Sequence, residues 1–124
     1  MKKINLAITG CMGRMGSQII KSAKKDQNFK ITALTENKSI NRKINGIAID
    51  LNTCKIFKKV DLIIDFTVPK CTFEILKIAL KLKKRVVIGT TGFSKKEESL
   101  IEKYSKKIPI LKAGNMLSLI HISE

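Results

Sequence analysis

The residues with the clearest chemical potential form a glycine-rich segment near the start of the chain, with the sequence GCMGRMG at residues 10–16. The segment follows an apolar stretch at residues 4–8 and precedes a helix-like stretch at residues 17–25. Glycines let the backbone turn sharply and approach a ligand closely, and the N-terminus of the next helix offers free N–H groups and a partial positive charge. This order predicts a site for the pyrophosphate of a dinucleotide; an ordinary tight turn is the alternative.

An acidic residue, Glu36, lies twenty residues after Gly16. A carboxylate at about this distance accepts hydrogen bonds from the adenine ribose in dinucleotide-binding folds, whereas the alternative is a solvated glutamate at a strand end. Glu36 favours NADH because it repels a 2′-phosphate, but Lys38 can offset that repulsion, so the preference stays open. Arg14 can pair with the phosphates or simply face solvent.

A second glycine-containing segment, GTTG at residues 89–92, follows a later apolar stretch. Its glycines let the backbone approach a flat ring and its threonine hydroxyls offer donors and acceptors, so it is a candidate for the nicotinamide half; a strand-to-helix turn is the alternative. Asp65 is interpreted as a polar strand end, and Phe66 as core or as a wall beside the nicotinamide. The sequence shows no set of residues for acid–base catalysis, since His121 has no candidate partner at a suitable spacing. In nicotinamide-dependent reactions the coenzyme itself supplies the hydride.

Strand-like and helix-like stretches alternate along the chain and must position these segments. Strands are predicted at residues 4–9, 29–34, 47–49, 62–66, 85–88 and 108–111, helices at 17–25, 72–82 and 94–106, one or two helical turns at 54–59, and a loop at 37–45. Ser94 and Glu97 form a predicted capping box. The alternation predicts the α/β class, with a doubly wound, mostly parallel sheet of the Rossmann-like dinucleotide-binding type, in which ligands bind beyond the carboxyl ends of the strands.

Length and composition limit the possible classes of protein. With 124 residues the chain forms one domain at most, and no apolar stretch reaches the roughly 20 residues that cross a membrane. The net charge of +15 suggests a nucleic-acid partner, but the lysines are spread over every segment and few aromatic residues are available for base stacking. The three cysteines and the single histidine lack metal-ligand spacing. We therefore expect a cytoplasmic protein whose partners include no metal, nucleic acid or membrane.

Five motifs together resemble the 4-hydroxy-tetrahydrodipicolinate reductase family, also called dihydrodipicolinate reductases, of lysine and diaminopimelate biosynthesis. They are GxxGRMG at residues 10–16, ALTE at 33–36, DFTxP at 65–69, VIGTTGF at 87–93 and AGNM at 113–116. Their order and spacing match over about residues 3–116, and the GRMG and GTTGF pieces are specific in combination. The resemblance implies an oxidoreductase that uses NADH or NADPH to reduce the small molecule 4-hydroxy-tetrahydrodipicolinate to tetrahydrodipicolinate.

The resemblance also implies roles for individual residues. The pyrophosphate would be held by Gly10, Cys11, Met12, Gly13, Arg14 and Met15, and the adenine ribose by Glu36. The nicotinamide half would lie along Gly89, Thr90, Thr91, Ala113, Gly114, Asn115 and Met116. Family members often carry an arginine directly after the acid, where it serves the 2′-phosphate. This chain has Asn37 there, which weakens the expectation of strong NADPH use.

After Met116 the sequence departs from the family pattern. Family members continue through a serine and a glycine-rich turn into a substrate domain, which carries a His-His pair followed by Arg and Lys and builds a homotetramer. Residues 117–124 instead read LSLIHISE, and His121 does not match the family's catalytic histidine. We therefore expect a dinucleotide-binding domain at residues 1–116, an aberrant tail at 117–124, a truncated chain, and coenzyme binding without turnover.

Two other functions fit the same residues. Another nicotinamide enzyme, such as a relative of homoserine or aspartate-semialdehyde dehydrogenases, would share the first glycine segment, although the GTTGF segment argues against it. A non-catalytic module would need only the residues that bind a dinucleotide, or its lysines if the ligand were a nucleic acid.

Overall fold

The computed structural model describes residues 3–112, which form a seven-stranded sheet and four helices. The strands are β1 (Ile4–Thr9), β2 (Phe29–Glu36), β3 (Lys43–Ile44), β4 (Ile47–Leu51), β5 (Leu62–Asp65), β6 (Arg85–Ile88) and β7 (Ile110–Lys112). The helices are α1 (Arg14–Lys25), α2 (Cys54–Phe57), α3 (Pro69–Leu82) and α4 (Lys95–Ser105). Their alternation confirms the predicted α/β class.

The sheet has the strand order β3-β4-β2-β1-β5-β6-β7, and all neighbours are parallel except β3 and β4. The chain proceeds outward in one direction from β1 and in the other from β5, so the strand order reverses between these two. Ligands of doubly wound sheets bind at that reversal. Thr9 of β1 is level with Asp65 of β5, which is level with Ile88 of β6. The predicted binding segments therefore start from one edge of the sheet.

Helices cover both faces of the sheet, as a mostly parallel sheet requires. α1 packs on one face, while α2, α3 and α4 contribute to the core on the other. The buried helix residues are Ile19, Ile20 and Ala23 on the first face, and Phe57, Ile75, Leu76, Ala79 and Ile101 on the second. Within residues 3–112, no helix has the length and apolar character that a membrane crossing needs.

Two helices begin earlier than the apolar periodicity predicts. α1 begins at Arg14 rather than at residue 17, and α3 begins at Pro69 rather than at residue 72. Proline fits the first helical position because the N–H that it lacks would have no partner there. The apolar periodicity does not show these turns, because the residues that they bury are small or polar: Gly16 in α1, and Cys71 and Thr72 in α3. Arg14, Met15 and Gly16 are consequently helical.

The predicted loop at residues 37–45 contains β3, which forms an antiparallel hairpin with β4. The connecting residues, Asn45 and Gly46, have φ angles of 52° and 80°, the left-handed pair that a type I′ turn requires. Asn-Gly is the sequence signal for this turn, but the preceding strand has two residues and gives no periodicity of its own.

The predicted capping box of α4 is confirmed. The Glu97 amide donates to Ser94 Oγ at 3.1 Å, and the Ser94 amide donates to Glu97 Oε1 at 2.8 Å. Other boundaries shift by a few residues: α2 is a single turn, α4 ends at Ser105, and β7 begins at Ile110 rather than at residue 108.

β2 carries one irregularity where it pairs with β1. Leu6 and Ala7 are consecutive, but their partners Ile31 and Ala33 are not, so Thr32 is an extra residue and forms a β-bulge. The Thr32 hydroxyl donates to the Leu6 carbonyl at 3.4 Å. Every residue of β2 beyond the bulge is thereby shifted by one position relative to β1.

Candidate functional site

The turn after β1 requires glycine at its first position. Gly10 has a φ of +68°, and a Cβ there would lie 2.0 Å from the Phe66 carbonyl oxygen. The Gly10 and Cys11 amides donate to the Thr35 carbonyl at 3.0 and 3.3 Å, which ties the turn to the end of β2. The backbone therefore passes through a space that no side chain could share.

Helix α1 packs closely against this turn through Gly16. A Cβ at Gly16 would lie 2.4 Å from the Gly10 carbonyl oxygen. Gly13 is the N-cap residue; it makes no side-chain hydrogen bond, and the first turn of α1 has no acidic residue. The first amides of the helix and its partial positive charge are thus available to an anion.

Glu36 lies against the same turn. Its Oε2 accepts a hydrogen bond from the Met12 amide at 2.7 Å. The carboxylate of β2 and the glycine segment after β1, which are separated in sequence, are therefore in direct contact. Asn37 and Lys38, which follow Glu36, are exposed.

Cys11 is buried in the turn. Burial, and to a lesser degree the negative charge of Glu36, raises the pKa of its thiol to about 11. Cys11, Cys54 and Cys71 are all free cysteines. Among the described residues, no group of three or more His, Cys, Asp or Glu side chains could hold a metal ion.

The second segment meets the end of β5 through Phe66. A Cβ at Gly89 would lie 2.1 Å from the Phe66 ring, and the Gly89 amide donates to the Asp65 carbonyl at 2.8 Å. Thr90 is buried, whereas Thr91 beside it is exposed. The two threonines of the segment therefore have different surroundings, which the sequence does not distinguish.

Asp65 is fully buried and accepts four hydrogen bonds from hydroxyl groups. Oδ1 accepts from Thr9 at 2.5 Å and from Thr67 at 2.9 Å, while Oδ2 accepts from Thr72 at 2.5 Å and from Thr90 at 3.1 Å. The sequence alone predicts only a polar strand end at Asp65. Only Thr67 is a near neighbour in sequence; Thr9, Thr72 and Thr90 come from β1, α3 and the segment after β6, so their convergence has no local signal.

A cavity of about 310 Å³ lies where these segments meet, at the reversal of the strand order. It is lined by residues 13–16, Phe66, Thr67 and residues 89–91. A larger cavity of about 880 Å³, lined by Asn5, Lys30 and residues of β4 and α2 among others, contains no residue of either glycine segment. We assign the candidate site to the smaller cavity because the predicted residues and the strand ends meet there.

The structure thus brings most of the predicted site residues to one place. The cavity is lined by Gly13, Arg14, Met15, Gly89, Thr90 and Thr91, the adjoining turn is formed by Gly10, Cys11 and Met12, and Glu36 contacts that turn. Ala113, Gly114, Asn115 and Met116, which are predicted to join the nicotinamide half, lie outside the described residues.

Comparisons with known proteins relate the chain to a group of reductases. Residues 4–116 match the family model for the N-terminus of dihydrodipicolinate reductase. The chain is 73% identical over 116 residues to 4-hydroxy-tetrahydrodipicolinate reductase from Pelagibacter ubique, covering 94% of the chain and 45% of that protein. It is 43% identical over 128 residues to the reductase of the same name from Buchnera aphidicola of Schizaphis graminum, covering 92% and 46%. The chain spans about half the length of the curated relatives that it matches.

Solved structures share the fold. Dipicolinate-bound dihydrodipicolinate reductase from Paenisporosarcina sp. superposes with a TM-score of 0.75 at 24% identity, over 92% of the chain and 48% of that structure. Homoserine dehydrogenase from S. aureus superposes with a TM-score of 0.76 at 19% identity, over 93% and 33%. At these identities the likeness establishes a Rossmann-like fold for the described residues and does not distinguish between enzymes.

Proposed function

The chain belongs to the dihydrodipicolinate reductase family, and from this premise we propose that it is the coenzyme-binding domain of a 4-hydroxy-tetrahydrodipicolinate reductase. The whole protein would reduce 4-hydroxy-tetrahydrodipicolinate to tetrahydrodipicolinate in lysine and diaminopimelate biosynthesis. A bound NADH or NADPH supplies the hydride for such a reduction. The residues of this chain bind and orient that coenzyme.

The proposal depends on three glycines whose positions leave no room for a side chain. A Cβ at Gly10, Gly16 or Gly89 would lie within 2.4 Å of backbone or ring atoms, so glycine is required in the turn after β1, in its contact with α1, and where Gly89 meets Phe66. These close contacts border the 310 Å³ cavity, which is also lined by the first residues of α1. The first amides of α1 suit an anionic pyrophosphate attached to flat rings.

Gly10, Cys11, Met12, Gly13, Arg14 and Met15 hold the pyrophosphate in this proposal. Glu36 accepts hydrogen bonds from the adenine ribose, and its contact with the Met12 amide supports that placement. The carboxylate repels a 2′-phosphate, so NADH binds more tightly than NADPH, with the exposed Lys38 reducing the difference.

Gly89, Thr90 and Thr91 serve the nicotinamide half, together with Ala113, Gly114, Asn115 and Met116 beyond the described residues. The domain covers residues 1–116, and residues 117–124 are a tail of different character. The whole protein is a cytoplasmic homotetramer, as family members are expected to be, and this chain alone binds coenzyme without turnover.

Isothermal titration calorimetry of the chain with NADH, NADPH and ADP-ribose tests the proposal. Gly13→Asp places a carboxylate at the N-terminus of α1, and Gly13→Asn places a neutral side chain of the same size there. Both residues are favoured N-caps, so both variants should stay folded, and the Gly13 backbone is already extended as an N-cap requires. We expect Gly13→Asp to bind NADH about tenfold more weakly than Gly13→Asn, because only Asp repels the pyrophosphate.

Two results would contradict the proposal. The first is the absence of heat from the well-folded wild-type chain with all three ligands. The second is equal affinity of the two Gly13 variants for NADH, since the anion would then lie elsewhere. Circular dichroism of each variant establishes that the fold is retained.

A further inference from the structure

Asp65 occupies an unusual electrostatic position at the last residue of β5. An ionised carboxylate has no donor and offers about four lone-pair positions, and all four are used by threonine hydroxyls. Within residues 3–112 the one ion pair joins Lys112 to Glu98, so no cation neutralises Asp65. Burial of an unpaired charge is costly. An apolar residue would fill the same space without that cost, so packing does not explain why a carboxylate is present here.

The carboxylate fixes the orientation of Thr90. That hydroxyl donates to Asp65 Oδ2 at 3.1 Å and accepts from the Thr67 amide at 2.9 Å. Its proton and an acceptor position are both committed, so the side chain has one favoured rotamer. Through this chain of hydrogen bonds, Asp65 links the segment after β5 to the segment after β6.

The segments that follow β5 and β6 form one wall of the 310 Å³ cavity. This wall consists of Phe66, Thr67, Gly89, Thr90 and Thr91. Thr90 faces the interior and is 6% exposed, while the next residue, Thr91, is exposed. The burial of the Thr90 side chain therefore determines which groups of residues 89–91 face the cavity. Asp65 itself lies behind this wall.

We infer that Asp65 is a positioning residue for the nicotinamide half of the coenzyme. It acts through Thr90 and Thr67, which set the wall against which the ring binds, and it makes no contribution to the adenine half. The inference rests on the proposed function, because it assigns the wall to that ligand.

Calorimetry with NADH and ADP-ribose separates the two halves, since ADP-ribose lacks the nicotinamide. Asp65→Asn keeps the shape but replaces one acceptor oxygen by an NH₂ group, which cannot accept the two hydroxyl protons now directed at it. We expect NADH affinity to fall about tenfold and ADP-ribose affinity to change less than about twofold. A residue with a purely structural role would weaken both ligands together.

Further variants keep the test decisive if Asp65→Asn folds poorly. Thr90→Val removes the hydroxyl at constant shape and should weaken NADH alone, whereas Thr90→Ser should restore its binding. Asp61→Asn is the matched control: it makes the same change at the residue directly before β5, where Asp61 accepts from the Asn5 amide at 2.8 Å. We expect it to bind both ligands as the wild type does.

The outcomes are distinct. If wild type binds ADP-ribose and NADH but the Asp65 and Thr90 variants bind both normally, or lose both equally, the positioning role is wrong and the proposed function stands. If wild type binds neither ligand, both ideas fail. Selective loss of NADH that Thr90→Ser reverses supports the inference.

Discussion

At the scale of single residues, the placement of Glu36 bears directly on the choice of coenzyme. Its carboxylate lies 2.7 Å from the Met12 amide, at the edge of the glycine turn. Glutamine can keep that hydrogen bond through its own oxygen while losing the negative charge. Geometry and charge can therefore be separated at this position.

We predict that Glu36→Gln shifts the ratio of NADH to NADPH affinity toward NADPH by about tenfold, because the repulsion of the 2′-phosphate is removed. Calorimetry with both coenzymes measures the ratio. Glu102→Gln, at an exposed position of α4, is the control and should leave it unchanged. An unaltered ratio in Glu36→Gln would exclude Glu36 from the ribose site.

The burial of Cys11 leads us to expect that the stability of the fold depends on pH in the alkaline range. The unfolded thiol ionises near 9.0, whereas the folded thiol keeps its proton to about 11 because burial disfavours the thiolate. The stabilisation is complete below pH 9 and is lost as pH rises toward 11, since only the unfolded state releases the proton in that interval.

Relative to Cys11→Ala, the free energy of unfolding of the wild type should fall by about 2 kcal/mol between pH 9 and pH 11. Urea denaturation at a series of pH values measures this difference, and the lysine titrations common to both proteins cancel. Parallel curves for the two proteins would show that the thiol does not titrate differently on folding.

At the scale of elements, the hairpin of β3 and β4 isolates a backbone effect. Gly46 has a φ of +80°, yet a Cβ there would meet no atom within 4 Å. Any cost of a side chain at this position must come from the left-handed backbone and cannot come from a clash.

Gly46→Ala should therefore destabilise the chain by about 1 kcal/mol, and Gly46→Asn by less, because asparagine tolerates the left-handed region. Thermal denaturation followed by circular dichroism gives the order of the three proteins. Equal stability of the alanine and asparagine variants would mean that the turn rearranges instead.

The elements themselves were largely predictable, for reasons that individual residues make clear. Ser94 and Glu97 specify the start of α4 through contacts three residues apart, so a local signal sufficed. The periodicity does not predict the start of α3 at Pro69, because the buried residues of its first turn are the small Cys71 and the polar Thr72. The sequence does not predict β3, because two residues are too few to show a period, although the Asn-Gly pair indicates a turn.

At the scale of the whole molecule, the position of the site followed from topology. Strand ends of a parallel sheet meet at one edge, so the sequence predicts that the segments after β1, β5, β6 and β7 lie together with Glu36 at the end of β2. The structure brings the first three segments around one cavity and places Glu36 against Met12, while the segment after β7 lies outside the described residues. The four hydrogen bonds to Asp65 could not be foreseen. Thr9 and Thr72 are far apart in sequence, and only the packing of α3 on the sheet brings both hydroxyls to one carboxylate.

The bulge at Thr32 has a consequence that extends to the opposite end of β2. Successive side chains of a strand alternate between the two faces, so one surplus residue reverses the assignment of all that follow. Without the bulge, Glu36 at the end of β2 would lie on the face of the sheet that Thr35 now occupies. The extra residue at Thr32 thus changes which face of the sheet each later side chain of β2 occupies. It thereby determines that the side chain next to the glycine turn is that of Glu36.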